Sequence, residues 1–148
     1  MKKIFSVLSM AILAMVAQTD GAGVPEHFIG TFEIDPEATI QNWKEERPFG
    51  ERTDWVIRGI GPILGGYFIE LTDSHLRTWS RESEGVGVKR EYEIVEKDEG
   101  MIYIKRYNET CQRYDFSRLK ATEDGFWEYS DALFVGYRAK FRRIEPDS

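Results

Sequence analysis

Apolar and polar residues alternate with a period of two along most of this chain, which is typical of β-strands that have one buried face. Between residues 86 and 94, Val86, Val88, Tyr92 and Ile94 form the apolar phase of such a run. Short turns rich in Gly, Asp, Asn and Ser separate the runs. The alternation predicts about eight strands, of which the run at residues 86–94 is one. The other seven are Phe28–Ile34, Tyr67–Thr72, Leu76–Arg81, Met101–Tyr107, Gln112–Lys120, Phe126–Ser130 and Leu133–Arg142.

One segment departs from this alternation. Asp35 followed by Pro36 is a helix-start signal, because Asp caps the first turn and Pro suits the first helical position. The sequence therefore predicts a helix from Pro36 to Glu46, and a second short helical turn over Glu51–Arg58. Glycines and a proline between residues 59 and 66 are expected to end regular structure there.

The order of these elements predicts a mainly β fold. An antiparallel up-and-down barrel or strongly curled meander of about eight strands pairs sequential strands and hides the sheet edges. The helical insertion, residues 36–66, would lie between strands 1 and 2 of a domain spanning residues 28–145. An open sheet wrapped around the Pro36–Glu46 helix is the alternative.

The first residues resemble an export signal. Lys2 and Lys3 precede a nearly unbroken apolar run, Ile4–Val16, which is too short to span a bilayer. We predict a signal peptide over residues 1–17, cleaved after Ala17, and an N-terminal extension over residues 18–27. The mature protein would be periplasmic or secreted from a bacterium, with no stable membrane anchor.

Charge narrows the range of partners. The formal charge of −6 becomes −8 once the two lysines of the signal are removed. Nucleic-acid binding needs clustered Lys and Arg on a basic surface, so nucleic acid is not expected as a partner.

No catalytic, metal or cofactor motif stands out, so we predict a protein that is not an enzyme and carries no cofactor. His27 and His75 are far apart and have no ligand spacing with Cys111. As the single cysteine, Cys111 cannot form an internal disulfide, and we expect it to be buried or paired with another chain.

The segment Gly30-Thr31-Phe32 stands where lipocalins carry Gly-x-Trp in their first strand. Arg142 or Arg143 in the last strand would match the arginine that packs over that aromatic ring. The chain thus resembles small exported lipocalin-like domains, and its helical insertion is similar to the portal of fatty-acid-binding proteins. The resemblance implies a β-barrel that encloses a small ligand.

The first function hypothesis is therefore an exported binding protein for a small apolar or amphipathic ligand. Arg90 interrupts an apolar strand face and could meet a ligand carboxylate, together with Tyr92 and Tyr137. Apolar residues set among glycines could form a movable lid or portal, and the alternative is a plug packed permanently on the core. These lid residues are Ile57, Ile60, Ile63 and Leu64.

The second hypothesis is a protein–protein interaction module of the cell envelope, such as an inhibitor, immunity partner or assembly factor, with a packed core. Four tryptophans are numerous for this length, and aromatic side chains carry much of the binding energy of interfaces. Two or more of them exposed on one patch would favour this reading; they are Trp43, Trp55, Trp79 and Trp127.

Overall fold

Eight antiparallel strands form a closed barrel in the computed structural model, which describes residues 23–83, 86–130 and 137–145. Each strand pairs with its neighbours in sequence, and the last pairs with the first, which confirms the up-and-down barrel rather than an open sheet. The predicted signal peptide lies outside the described residues. The strands are β1 Gly30–Ile34, β2 Tyr67–Leu71, β3 His75–Ser80, β4 Val88–Asp98, β5 Met101–Asn108, β6 Arg113–Ala121, β7 Gly125–Ser130 and β8 Tyr137–Arg143.

The connections alternate between two ends of the barrel, because the strands run up and down in order. We call the upper end the one where β1 leads into the helical insertion and where β3–β4, β5–β6 and β7–β8 connect. The lower end holds the β2–β3, β4–β5 and β6–β7 turns. A single 3-10 turn, Glu26–Phe28, also lies at the lower end, where the His27 imidazole is 2.8 Å from the Gly125 carbonyl oxygen.

The helical insertion confirms the first helix and corrects the second. Helix α1 spans Pro36–Glu46, and the Asp35 carboxylate accepts a hydrogen bond from the Ala38 N–H at 3.0 Å. Helix α2 spans Thr53–Ile60 and is followed by a 3-10 turn, Gly61–Ile63, so the expected break at residues 59–66 was wrong in its first half. A glycine within a helix costs only about 1 kcal/mol, which burial of an apolar helix face offsets.

Helix α1 packs against β8 through a buried tryptophan. Trp43 is fully buried and its indole N–H donates to the Arg138 carbonyl at 2.7 Å. The Thr39 hydroxyl accepts from the Lys140 N–H at 2.9 Å. The insertion thus covers the upper part of β8, beyond its three paired positions with β1.

The lower end is closed by aromatic packing. Phe28 was expected to begin the first strand, but it ends the 3-10 turn instead, and its buried ring lies 6.1 Å from the ring of Phe126. Gly30 permits this change of direction, since its φ of 139° is one that residues with a Cβ rarely adopt. The Arg143 guanidinium lies 4.7 Å over the ring of Phe32, the contact that the lipocalin resemblance implied.

The lower half of the barrel interior is filled by its own side chains. These residues face inward on six of the eight strands, β1, β2, β3, β5, β6 and β7, and the exposed fraction of each is 2% or less. They are Phe32, Ile34, Ile69, Leu71, Leu76, Ile102, Ile104, Leu119 and Phe126.

Two sequence-based expectations about burial were wrong. Val86 and Val88 belong to the apolar phase of their run, yet they are 79% and 54% exposed. The cause is that β3 and β4 pair only from His75 to Thr78, so Val88 lies at the end of the ladder and Val86 beyond it. Cys111 is exposed rather than buried, because it lies in the turn between β5 and β6, and its pairing with another chain stays a prediction.

Candidate functional site

The upper half of the interior is lined by polar residues on three neighbouring strands. Their side chains face inward by the period of two, in phase with the apolar residues lower on the same strands. We call this set the polar wall: Arg106 and Asn108 on β5, Asp115 and Ser117 on β6, and Glu128 and Ser130 on β7.

Arg106 and Glu128 form a loose ion pair on this wall. Arg106 Nη1 lies 3.9 Å from Glu128 Oε2, which is too long for a hydrogen bond, and this nitrogen has no other partner. Burial raises the pKa of Glu128 above its ordinary value, while the nearby Arg106 acts in the opposite direction. The carboxyl group is therefore held toward its neutral form.

Only one of the two carboxylate oxygens of Asp115 has a hydrogen-bond partner. Its Oδ2 accepts from Asn108 Nδ2 at 2.7 Å, and Asn108 Oδ1 in turn accepts from the Cys111 N–H at 3.2 Å. Arg113 Nε forms an ion pair with Asp115 Oδ1 at 3.4 Å, but the contact lacks hydrogen-bond geometry, so Oδ1 has no hydrogen-bond partner. The result is a buried acceptor held in place by the β5–β6 turn.

Ser117 completes a row of three unpaired buried atoms. In the β5–β6 ladder Arg106 is directly opposite Asp115, and Ser117 lies two residues further along the same face of β6. Its hydroxyl oxygen also has no hydrogen-bond partner. An unsatisfied buried polar group costs roughly 1–3 kcal/mol, so water or a ligand is needed to pair with this row.

A cleft lies on the inward face of the sheet where the pairing of β3 with β4 ends. Thr78 and Val88 are the last paired residues, and both face inward yet are exposed. A cleft of about 340 Å³ lies there, a volume within the range of small-molecule sites. Its lining residues are Tyr67, Thr78, Trp79, Ser80, Val86, Gly87 and Val88.

The residues predicted to bind a ligand are only partly brought together. Arg90 is half-buried on the inward face of β4, opposite Leu76, and has no ion-pair partner among the described residues. Tyr92 is buried, and its hydroxyl donates to the Thr72 carbonyl near the lower end. Burial, with a smaller contribution from Asp73, raises the pKa of Tyr92 to about 12. The backbone of Tyr137 pairs with Ser130, but its side chain lies outside the described residues.

The four residues predicted to form a lid have different surroundings. Leu64 is buried, while Ile57 and Ile60 are half-buried against the core. Ile63 is 60% exposed. Three of the four thus contact the core, as a plug would, and movement of the segment stays a prediction.

The sequence hypothesis missed the polar wall. Arg106 follows Ile102 and Ile104 in the same phase of β5, and Glu128 follows Phe126 in β7. The available signal was a polar residue at a position where the period of two places the inward-facing apolar residues of the same strand. It was overlooked because the assembly of the wall depends on the register of three strands, which a single sequence does not determine.

The tryptophans do not meet the condition set for the interaction module. Trp43 is buried, Trp79 and Trp127 are half-buried, and only Trp55 is exposed, at 71%.

The part of the chain that the structure describes has no group of three or more His, Cys, Asp or Glu able to hold a metal ion. No helix in that part is long and apolar enough to cross a bilayer. Comparison of the chain with protein-family models, curated proteins and solved structures found no match.

Proposed function

We propose that this protein binds a small amphipathic molecule in the upper half of its barrel. The observation that carries the proposal is the row of three buried atoms without a hydrogen-bond partner on the polar wall, Arg106 Nη1, Asp115 Oδ1 and Ser117 Oγ. Because the lower half is filled, a guest would occupy the polar half, with its polar end on this row. Arg90, which faces inward from the adjacent strand, could contact the same guest.

In this proposal the ligand enters through the cleft between β3 and β4, where its apolar part also contacts the protein. Val86, Val88 and Tyr67 expose apolar surface around the cleft, where the less polar end of the molecule would lie. Exposed apolar surface around a concave site is a common feature of ligand sites. In this proposal the insertion is a fixed cap, since its residues Trp43 and Leu64 are buried in the hydrophobic core. The activity would take place outside the cytoplasm, given the signal-like residues 1–17.

The test is native mass spectrometry of the protein purified from its own source cells, compared with the same sample after denaturation. We expect a bound small molecule that is lost on denaturation. Ser117→Val, which removes a hydroxyl from the polar wall, should lower the occupied fraction at least threefold. Arg118→Ala is the matched control, because Arg118 is the next residue and is exposed on the outer face. A bare polypeptide mass in every freshly lysed sample would contradict the proposal.

An exposed aromatic pair supports a second candidate, the protein–protein interaction module. Tyr107 and Tyr114 contact edge to face at 5.4 Å and are 45% and 55% exposed on the outside of β5 and β6. Lys105 lies 5.1 Å over the Tyr114 ring and pairs with Glu93 at 3.1 Å. In the same native spectra, a co-purifying polypeptide with no small molecule would favour this candidate.

A further inference from the structure

The three unpaired atoms of the polar wall differ in what they can offer a ligand. Arg106 Nη1 can only donate a hydrogen bond, and a carboxylate oxygen such as Asp115 Oδ1 can only accept one. The Ser117 hydroxyl can do both. Because Arg106 and Asp115 are directly opposed across β5 and β6, their Cβ atoms are about 5 Å apart. A donor side chain and an acceptor side chain therefore start from directly opposed positions on the same inward face.

Charge on the wall disfavours an ionised head group. A ligand carboxylate would be attracted to Arg106 but would also lie beside Asp115, the residue opposite Arg106 in the β5–β6 ladder. A ligand ammonium would meet Asp115 but would be repelled by Arg106. Burying a charge is costly unless it is paired, and either ion would leave one of Arg106 and Asp115 facing a like charge.

We infer, building on the function proposed above, that the site takes a neutral amide-type head group, which presents a carbonyl oxygen and an N–H on adjacent atoms. The carbonyl accepts from Arg106 Nη1 and the N–H donates to Asp115 Oδ1. The Ser117 hydroxyl can pair with either group. Primary amides, lactams and ureas share this edge, and each would satisfy the row without adding a net charge to the interior.

The experiment compares three probes with the same chain: octanamide, octanoate and methyl octanoate. Isothermal titration at pH 7.5 on the wild-type protein, freed of any bound molecule, measures the dissociation constant of each. We expect octanamide to bind at least tenfold more tightly than octanoate. Methyl octanoate, which accepts but does not donate, should fall between them.

A single substitution should reverse this order. Asp115→Asn removes the negative charge and can turn a donating NH₂ toward the ligand, so octanoate should gain affinity and octanamide should lose it. Glu123→Gln is the matched control, an acid-to-amide change at an exposed turn residue, and should leave the ratio unchanged. If Asp115→Asn does not fold, as judged by circular dichroism, Ser117→Ala should still weaken octanamide binding about three- to tenfold.

Several outcomes would overturn the inference. Octanoate binding the wild type as tightly as octanamide would do so, as would an unchanged ratio in a folded Asp115→Asn variant. If no probe binds while a small molecule still co-purifies in the native spectra, the head-group assignment falls and the proposed function stands. If no probe binds and nothing co-purifies, both fall.

Discussion

Glu128 lies on the polar wall with little water around its carboxyl group. Burial raises its pKa above the ordinary value of 4.5, so the folded protein holds this proton more tightly than the unfolded chain does. A group of this kind contributes stability below its unfolded pKa. That contribution is lost as the pH rises through the folded pKa.

Glu128→Gln should remove this dependence, because Gln has a similar shape and stays neutral at every pH. We expect the variant and the wild type to have similar free energies of unfolding at pH 4, and the variant to be the more stable at pH 8. Urea unfolding followed by circular dichroism at both pH values measures the difference. Glu99→Gln, at an exposed turn, is the control and should show no such trend. A variant less stable than the wild type at pH 8 would mean that the ionised pair with Arg106 dominates.

At the scale of single elements, the contacts that close the lower end of the barrel join residues near the two ends of the described chain. The Arg143 guanidinium lies over the Phe32 ring and donates to the carbonyl groups of Ile29, at 2.7 Å, and His27. One planar group thus connects β8, β1 and the N-terminal 3-10 turn.

Arg143→Lys should loosen this closure, because an ammonium cannot match the planar, forked donor geometry of a guanidinium. We expect a loss of about 1–2 kcal/mol in the free energy of unfolding, from one hydrogen bond and part of the cation–π contact. Arg142→Lys is the matched control, since Arg142 is exposed and makes only a 3.9 Å ion pair with Asp35. Equal losses in the two variants, measured by chemical denaturation, would contradict a special role for Arg143.

Sequence reasoning succeeded for elements that local chemistry specifies. The Asp35–Pro36 start signal predicted helix α1 with its observed bounds, Pro36–Glu46, and turn residues marked most strand ends to within two residues. It failed where tertiary contacts decide the outcome. Phe28 leaves the strand pattern because it packs on Phe126, and Val88 is exposed because β3 and β4 separate above it. The polar wall was missed for the same reason, since it exists only in the assembled register.

At the scale of the whole molecule, strand pairing is uneven around the barrel. β5 and β6 pair at eight positions, Met101–Asn108, whereas β3 and β4 pair at four, His75–Thr78. Backbone hydrogen bonds beside an opening break in local fluctuations, while those over a filled core open only with larger unfolding.

Hydrogen exchange followed by mass spectrometry should show this difference. We expect amides of β5 and β6 over the filled half to exchange at least tenfold more slowly than amides around Trp79 and Val88. Arg118→Ala on the outer face should leave the pattern unchanged. Equal protection of both regions would show that the β3–β4 opening is closed in solution.

Because the interior is divided into a filled half and a polar half, selection for folding and selection for ligand binding act on different residues. Changes among the filled residues, such as Phe32 or Leu119, harm folding whatever the protein binds. Changes on the polar wall alter what can be held there while leaving the packed half intact. A lineage built on this barrel can therefore exchange one ligand for another over evolutionary time without rebuilding its scaffold.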